Sequence, residues 1–305
     1  MSQWNDLLDE RNSLENKWRK KYLQMLQRYT KRDVIVYYSS WQTKSAPDDV
    51  LSISQDDRTS FQCAIDSMLP ETDKLDLILH SPGGDIQATK MIVQALRQKY
   101  DHIRVIVPIT AMSAGTMIAL SSDEIWMSTI SNLGPIDPQI FLSSIRAFIP
   151  AQEIENVIEA AKKDMQSGKN VNYWVYELQK YPAAIYQMSQ NATKLSKSMT
   201  NQWLTKWMFR RDPNGQEKAD RIQKYFSDYH SHLTHGNHIT YQELTDSVPD
   251  LRVNLLEDDL KLKYHVYNVL HCYDIYLMNN PAVMKICEGH RMIGRLKIFS
   301  GPQRQ

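Results

Sequence analysis

Residues 74–128 read KLDLILHSPGGDIQATKMIVQALRQKYDHIRVIVPITAMSAGTMIALSSDEIWMS, and the switch of hydrophobic period along them decides the fold class. KLDLILH (74–80) is a short apolar run of strand character, and SPGGD then breaks the chain. IQATKMIVQALRQKY (86–100) places its apolar residues at helical spacing, and IRVIVPI (103–109) returns to a strand. SAGTMIALSS predicts a short helix and EIWMS (124–128) a fourth strand. Upstream, DVIVYYSS (33–40) has the pattern of a strand and DRTSFQCAIDSML (57–69) that of an amphipathic helix. Apolar strands joined by helices imply a parallel sheet with crossover helices, an α/β fold. Ligands of such sheets sit at the carboxyl ends of the strands, and both SPGGD and TAMSAG fall there.

Around this core (32–150) lie an N-terminal helix (1–31) and a largely helical region (151–305). Residues 3–30 lack Gly and Pro and set Trp4, Leu7, Leu8, Leu14, Trp18, Tyr22, Leu23 and Leu26 along one stripe. Such a stripe packs on its own domain or on a neighbouring subunit. Helices are predicted at 151–166, at 171–181, after Pro182 and at 255–278. Their aromatic and methionine residues, at helical spacing, indicate core or subunit interface and predict a homo-oligomer. The stretch VMKICEGHRMIGRLKIF (283–299) predicts a strand pair turning near Glu288 and Gly289.

Composition excludes several classes. A net charge of +1 over 305 residues gives no general field toward nucleic acid or anionic lipid. Cys63, Cys272 and Cys287 form no C-x-x-C pair, which suits a reducing compartment. No apolar stretch approaches the ~20 residues of a transmembrane helix. The first residues also lack the apolar segment of a signal peptide, so a cytoplasmic location is expected.

Chemistry concentrates at the two glycine-marked corners. Gly83 and Gly84 allow a sharp turn and close approach of backbone N–H groups to a bound oxygen. A phosphate loop would need G-x-x-x-x-G-K-[ST] or G-x-G-x-x-G, and neither occurs. The loop is then half of an oxyanion hole or an ordinary strand-to-helix turn. At the next corner Ser113 opens a short helix, as an N-cap or as a nucleophile, with the Ala114 N–H aimed at the oxygen that Gly83 can reach. Two such corners on consecutive strands favour the nucleophile.

The segments HSPGGD (80–85), AMSAGT (111–116) and SNLGPIDPQ (131–139) together resemble the serine dehydrogenase proteinase family. That family is a branch of the Clp protease/crotonase superfamily, near signal peptide peptidase A. The resemblance continues through THGNHITYQELTDSVPDL (234–251). It implies a spiral of ββα units, oligomerisation through helices, Ser113 as nucleophile, and an oxyanion hole at the Gly83–Gly84 loop and Ala114. In Clp-type proteases a histidine base follows the strand after the serine. The comparable stretch here, STISNLGPIDPQ (128–139), has no histidine, and Asp137 is its titratable group. A carboxylate with its ordinary pKa near 4 can orient a base and is a poor base itself. KKDM (162–165) resembles the segment bearing the signal peptide peptidase lysine, which makes Lys163 the first candidate base, ahead of Lys162. His80, beside the glycine loop, is the second. His230, His232, His235 and His238 lack the H-E-x-x-H pattern or a cysteine pair and are expected to serve in caps and turns, with no metal or other cofactor.

Three functions compete on this evidence. The first and favoured is a serine peptidase acting on peptide or protein substrates, with an activating or regulatory protein partner left open. The second is a crotonase-type acyl-CoA enzyme. The third is a catalytically inactive scaffold of the same fold.

Overall fold

Val34, Val36 and Tyr38 alternate with Ile35 and Tyr37, and every one of them is buried, so the first strand carries two apolar faces. That strand, β1 (Asp33–Ser39), follows α1 (Ser2–Thr30) in a computed structural model that describes residues 2–292 and 294–299. The side chains of residues 2–13 and of His230 lie outside the described residues, and with them the packing expected of Trp4, Leu7 and Leu8. Next come α2 (Asp48–Leu51), α3 (Gln55–Asp66), β2 (Lys74–His80) and α4 (Ile86–Lys99). β3 (His102–Val107), β4 (Thr110–Ala111), α5 (Ala114–Leu120) and β5 (Glu124–Met127) repeat the theme. β6 (Asn132–Leu133) and a hairpin of β7 (Gln139–Leu142) and β8 (Ala147–Pro150) lead to α6 (Ala151–Gln166), α7 (Val171–Leu178) and α8 (Ile185–Trp203). After α9 (Gly215–Ser227), α10 (Tyr229–His232), β9 (Ile239–Thr240) and α11 (Tyr241–Ser247), the chain returns through β10 (Val253–Leu255) and α12 (Leu260–Asn279). It finishes with β11 (Val283–Gly289) and β12 (Arg295–Ile298).

The strands form a mixed seven-stranded sheet in the order β10-β5-β3-β2-β1-β11-β12. The five strands from β10 to β1 are parallel, β11 runs against them, and β12, antiparallel to β11, runs with them again. One face, with Ile35, Tyr37, Leu75, Leu77 and Leu79, packs under α3, α4, α5, α8 and α9. The other, with Val34, Val36, Ile78 and Ile106, packs on α12 and on Leu23 and Leu26 of α1. Leu23 and Leu26 of the N-terminal stripe thus cover their own domain, while Leu14 and Trp18 of the same stripe are exposed.

A second, smaller sheet stands at the carboxyl ends of the large one. It consists of β4, β6 and β9, and isolated bridges Ser81–Ala111 and Ile53–Gly84 continue its pairing sideways. Units such as β3–β4–α5 therefore place one strand in each sheet before their helix, the ββα arrangement. The 103–109 run divides here because Pro108 has no N–H to offer the ladder, and the chain resumes as β4. The expected 255–278 helix begins later, at Leu260, where the Asp259 carboxylate accepts from the Leu262 N–H at 2.9 Å. Residues 253–255 pair as a strand with β5 instead. The β7–β8 hairpin had no distinct signal in the sequence.

His80 illustrates how the sheet sorts side chains by parity. Its ring lies on the α12 face, 4.7 Å from the ring of Tyr38, with Nδ1 3.1 Å from the Thr110 carbonyl. Burial lowers its pKa to about 4, and burial does the same to His290. The unfolded chain then binds more protons than the native one between pH ~6.5 and ~4, so stability is full above that window and falls as pH drops through it. His80 alone should remove about 2 kcal/mol on going from pH 7 to pH 5. Urea melts of the wild type and His80→Gln at both pH values check this, with a shallower pH dependence expected in the variant.

Candidate active site

The two corners predicted from sequence are tied to each other by main chain. The Ser81 N–H donates to the Thr110 carbonyl at 3.1 Å, and the Met112 N–H donates to the Ser81 carbonyl at 3.0 Å. Gly83 and Gly84 follow with φ of +102° and +145°. A Cβ on Gly83 would lie 2.7 Å from the Cβ of Ser113, so the loop and the serine are in direct apposition. A Cβ on Gly84 would meet the Ile53 carbonyl oxygen at 2.2 Å and the Ile53 nitrogen at 2.5 Å. Gly84→Ala should therefore cost ~2 kcal/mol or more and break the Ile53–Gly84 bridge. A urea midpoint equal to that of the wild type would contradict this.

Ser113 has φ 48° and ψ −114°, a conformation that L residues avoid and that typically costs about 1–3 kcal/mol. The strain is held by bonds on both sides. The Gly115 N–H donates to the Met112 carbonyl at 2.7 Å and the Met117 N–H to the Ser113 carbonyl at 2.9 Å. Within 111–123 Ser113 is the one residue that is not buried. A sharp, strained strand-to-helix turn that exposes its serine is the geometry of a nucleophile elbow.

The small sheet delivers two further groups to this corner. In its antiparallel pairing Leu133 stands opposite Ile239, and Asp137 follows Leu133 by as many residues as His235 precedes Ile239. The register thus brings Asp137 and His235 together, and His235 Nδ1 lies 2.8 Å from Asp137 Oδ1. Asp137 is 3% exposed, and its other oxygen accepts from Gln139 Nε2 at 2.8 Å. An ionised carboxylate only accepts, so in such a pair Nδ1 is the donor. Because β4 pairs in parallel with β6, Ser113 leaves the same end of the same sheet.

Ser113, His235, Gly84 and Ala114 line one open cavity of about 860 Å³. Its walls are largely apolar, with Ile53, Ile86, Met117, Ile136, Phe148 and Leu195 among them. Gly83 itself donates its N–H to Ser81 Oγ at 3.1 Å, so Gly84 and Ala114 are the cavity-lining members of the expected oxyanion set.

The two expected bases are elsewhere. Lys163 is exposed on α6 and does not line the cavity. Lys162 is equally exposed, pairs with Glu159 at 2.9 Å and lies over the Tyr186 ring. That hydrogen bond raises its pKa, the opposite of what a base requires. His80 faces the other side of the sheet, because its place in β2 has the parity of Ile78 and not of Leu79. His235, expected from the sequence to serve in a cap or turn, is paired with Asp137 instead; it belongs to the HG pair inside 234–251. Of its neighbours, His232 bonds locally, with Nε2 2.7 Å from the Tyr225 carbonyl, whereas His238 reaches across to the small sheet, with Nδ1 2.6 Å from Asn132 Oδ1. Among the described residues no group of three or more His, Cys, Asp or Glu is arranged to hold a metal ion.

Comparison with known proteins follows the same line. Residues 51–292 match the family model described as ClpP-like SDH-type serine proteinase. Two uncharacterised proteins of Methanocaldococcus jannaschii are similar, one 30% identical over 204 residues and the other 29% identical over 219. These matches take in 67% and 72% of this chain, which spans 60% and 63% of the two relatives. A mutant of the membrane-bound stomatin-specific protease 1510-N, solved with a substrate peptide, shares 19% identity at a TM-score of 0.41, covering 66% of this chain and 70% of its own. A probable enoyl-CoA hydratase/isomerase from Mycobacterium abscessus shares 13% at a TM-score of 0.36, covering 73% of this chain and 68% of its own. With a family model matching most of its length, the chain belongs to the ClpP-like SDH-type serine proteinases.

Proposed function

We propose that the protein is a serine peptidase in which Ser113 attacks the scissile carbonyl and forms an acyl-enzyme. His235 Nε2 takes the hydroxyl proton and later returns it to the leaving amine, while Asp137 fixes the ring through Nδ1 and stabilises the imidazolium. The N–H groups of Gly84 and Ala114 receive the developing oxyanion, with Gly83 shaping the turn beside them. The observation that carries this reading is the bond from buried Asp137 to half-buried His235, whose side chain lines the cavity that holds Ser113.

The test is labelling with a fluorophosphonate and mapping of the modified peptide. Labelling confined to Ser113 supports the acyl-enzyme. Tight binding of acyl-CoA without labelling would move the protein to the crotonase chemistry, and neither result in a folded chain would leave a scaffold.

We infer also that the protein works as a homo-oligomer on peptide substrates. Tyr173, Val175 and Tyr176 of α7 are exposed, as are Phe141 and Phe148 on the β7–β8 hairpin, an apolar display suited to self-association. Light scattering at micromolar concentration should return a multiple of the chain mass, and the mass of one chain would refute it. Among the described residues no helix is long and apolar enough to cross a membrane. A cytoplasmic site of action agrees with the reduced cysteines.

A further inference from the structure

Behind the glycine loop lies a buried cation that the proposed chemistry does not use. Lys285, in β11, is 2% exposed, and its ammonium donates to Asp57 Oδ2 at 2.8 Å, to the Ser52 carbonyl at 2.5 Å and to Ser54 Oγ at 3.3 Å. All three of its protons are thus directed at one short segment and its cap. The same Asp57 oxygen also accepts from the Ser54 N–H at 2.8 Å and from the Tyr37 hydroxyl at 3.1 Å, so Lys285 and the segment share one acceptor.

The segment in question is the one against which the glycine loop rests. The Ile53 N–H donates to the Gly83 carbonyl at 2.7 Å, and the Asp85 N–H donates to the Ile53 carbonyl at 2.8 Å. Ile53 therefore grips the peptide units on both sides of Gly84. Ser52, Ile53 and Ser54 present one side to the Ser113 cavity. Lys285 and Asp57 line a separate cavity of about 290 Å³ on the other side of this segment.

We propose that Lys285 is a positioning residue: it clamps Ser52–Ser54, and through Ile53 it fixes the Gly84 N–H at the place where the oxyanion forms. The proposal rests on the serine peptidase reading of the same site. Desolvating an ammonium is costly, and a buried pair is a poor source of net stability compared with apolar packing. An ammonium is nevertheless suited to this place, because one Nζ serves a carbonyl, a hydroxyl and a carboxylate at once. Oxyanion donors act only when held within a fraction of an ångström, so the supporting segment bears directly on rate.

Lys285→Met is the informative variant, assayed by p-nitrophenyl butyrate hydrolysis and by amide hydrogen exchange on the full chain. We expect kcat to fall at least about tenfold with KM within roughly twofold, because the oxyanion contact forms only in the transition state. The Ile53 and Asp85 amides should exchange faster while those of β2 keep their protection. Wild-type kcat with unchanged exchange overturns the proposal, and so does a loss confined to KM. If Lys285→Met does not fold, Lys285→Arg decides, since it keeps the charge beside Asp57 but cannot direct three donors from one atom. It should show the same pattern to a smaller degree, and wild-type values in it overturn the proposal. Should the wild type fail to hydrolyse the ester, the peptidase reading fails by itself, and exchange at Ile53 and Asp85 still judges the clamp.

Discussion

Ser113→Ala should abolish fluorophosphonate labelling and slow peptide hydrolysis by roughly 10⁴–10⁶. Folding should survive, since the residue is small, only partly buried, and held in its unusual conformation by main-chain bonds at Met112–Gly115 and Ser113–Met117. The measurement is kcat/KM on a peptide that the wild type cleaves, beside a thermal melt. Full activity in a folded Ser113→Ala protein would remove the nucleophile assignment. The residual rate is informative as well, because the oxyanion donors and the bound orientation continue to act without the hydroxyl.

A loss of the same size is expected from His235→Ala, and the double variant with Ser113→Ala should be no worse than either single change, because the two groups act as one unit. Asp137→Asn should be slower by about 10⁴. The physical reason is the tautomer: an asparagine amide can donate to Nδ1, which moves the imidazole proton to Nε2 and removes the acceptor that the proposed mechanism requires. Lys163→Ala and His80→Ala should retain near-wild-type kcat/KM, since neither side chain lines the cavity. Activity lost in Lys163→Ala but kept in His235→Ala would overturn this assignment of the base.

The contrast between these residues shows what a sequence can and cannot carry. The strand and helix periods of 74–128 are local properties, and so are the turns at Gly83–Gly84 and Ser113; the sheet and both corners were legible for that reason. Asp137 stood out as the titratable group of its segment. His235 did not, because its meeting with Asp137 depends on a two-residue pairing between β6 and β9, more than 90 residues apart in the chain, and so short a strand has no periodicity. The lysine of KKDM was attractive by local likeness, yet the face that α6 turns to the protein is set by Ala151, Ile154 and Ala161, which leaves Lys162 and Lys163 in solvent. His80 turned on a single step of strand parity. The motifs pointed to the surroundings of Ser113 and left the proposed base to long-range topology.

The order of the large sheet also governs the timing of its assembly on the ribosome. β1 is among the first strands made, yet one of its edges is paired by β11, which emerges about 240 residues later, and the free edge of β5 waits for β10. At ordinary translation rates that interval is roughly 10–50 s. Between the synthesis of β5 and that of β10 the nascent core exposes two unpaired sheet edges, an aggregation hazard that invites chaperone cover. The proposed base at His235 is also made late, more than a hundred residues after Ser113. A nascent peptidase of this topology would hold its serine without its base until β9 and the residues before it have been made, while neighbouring chains are still being synthesised.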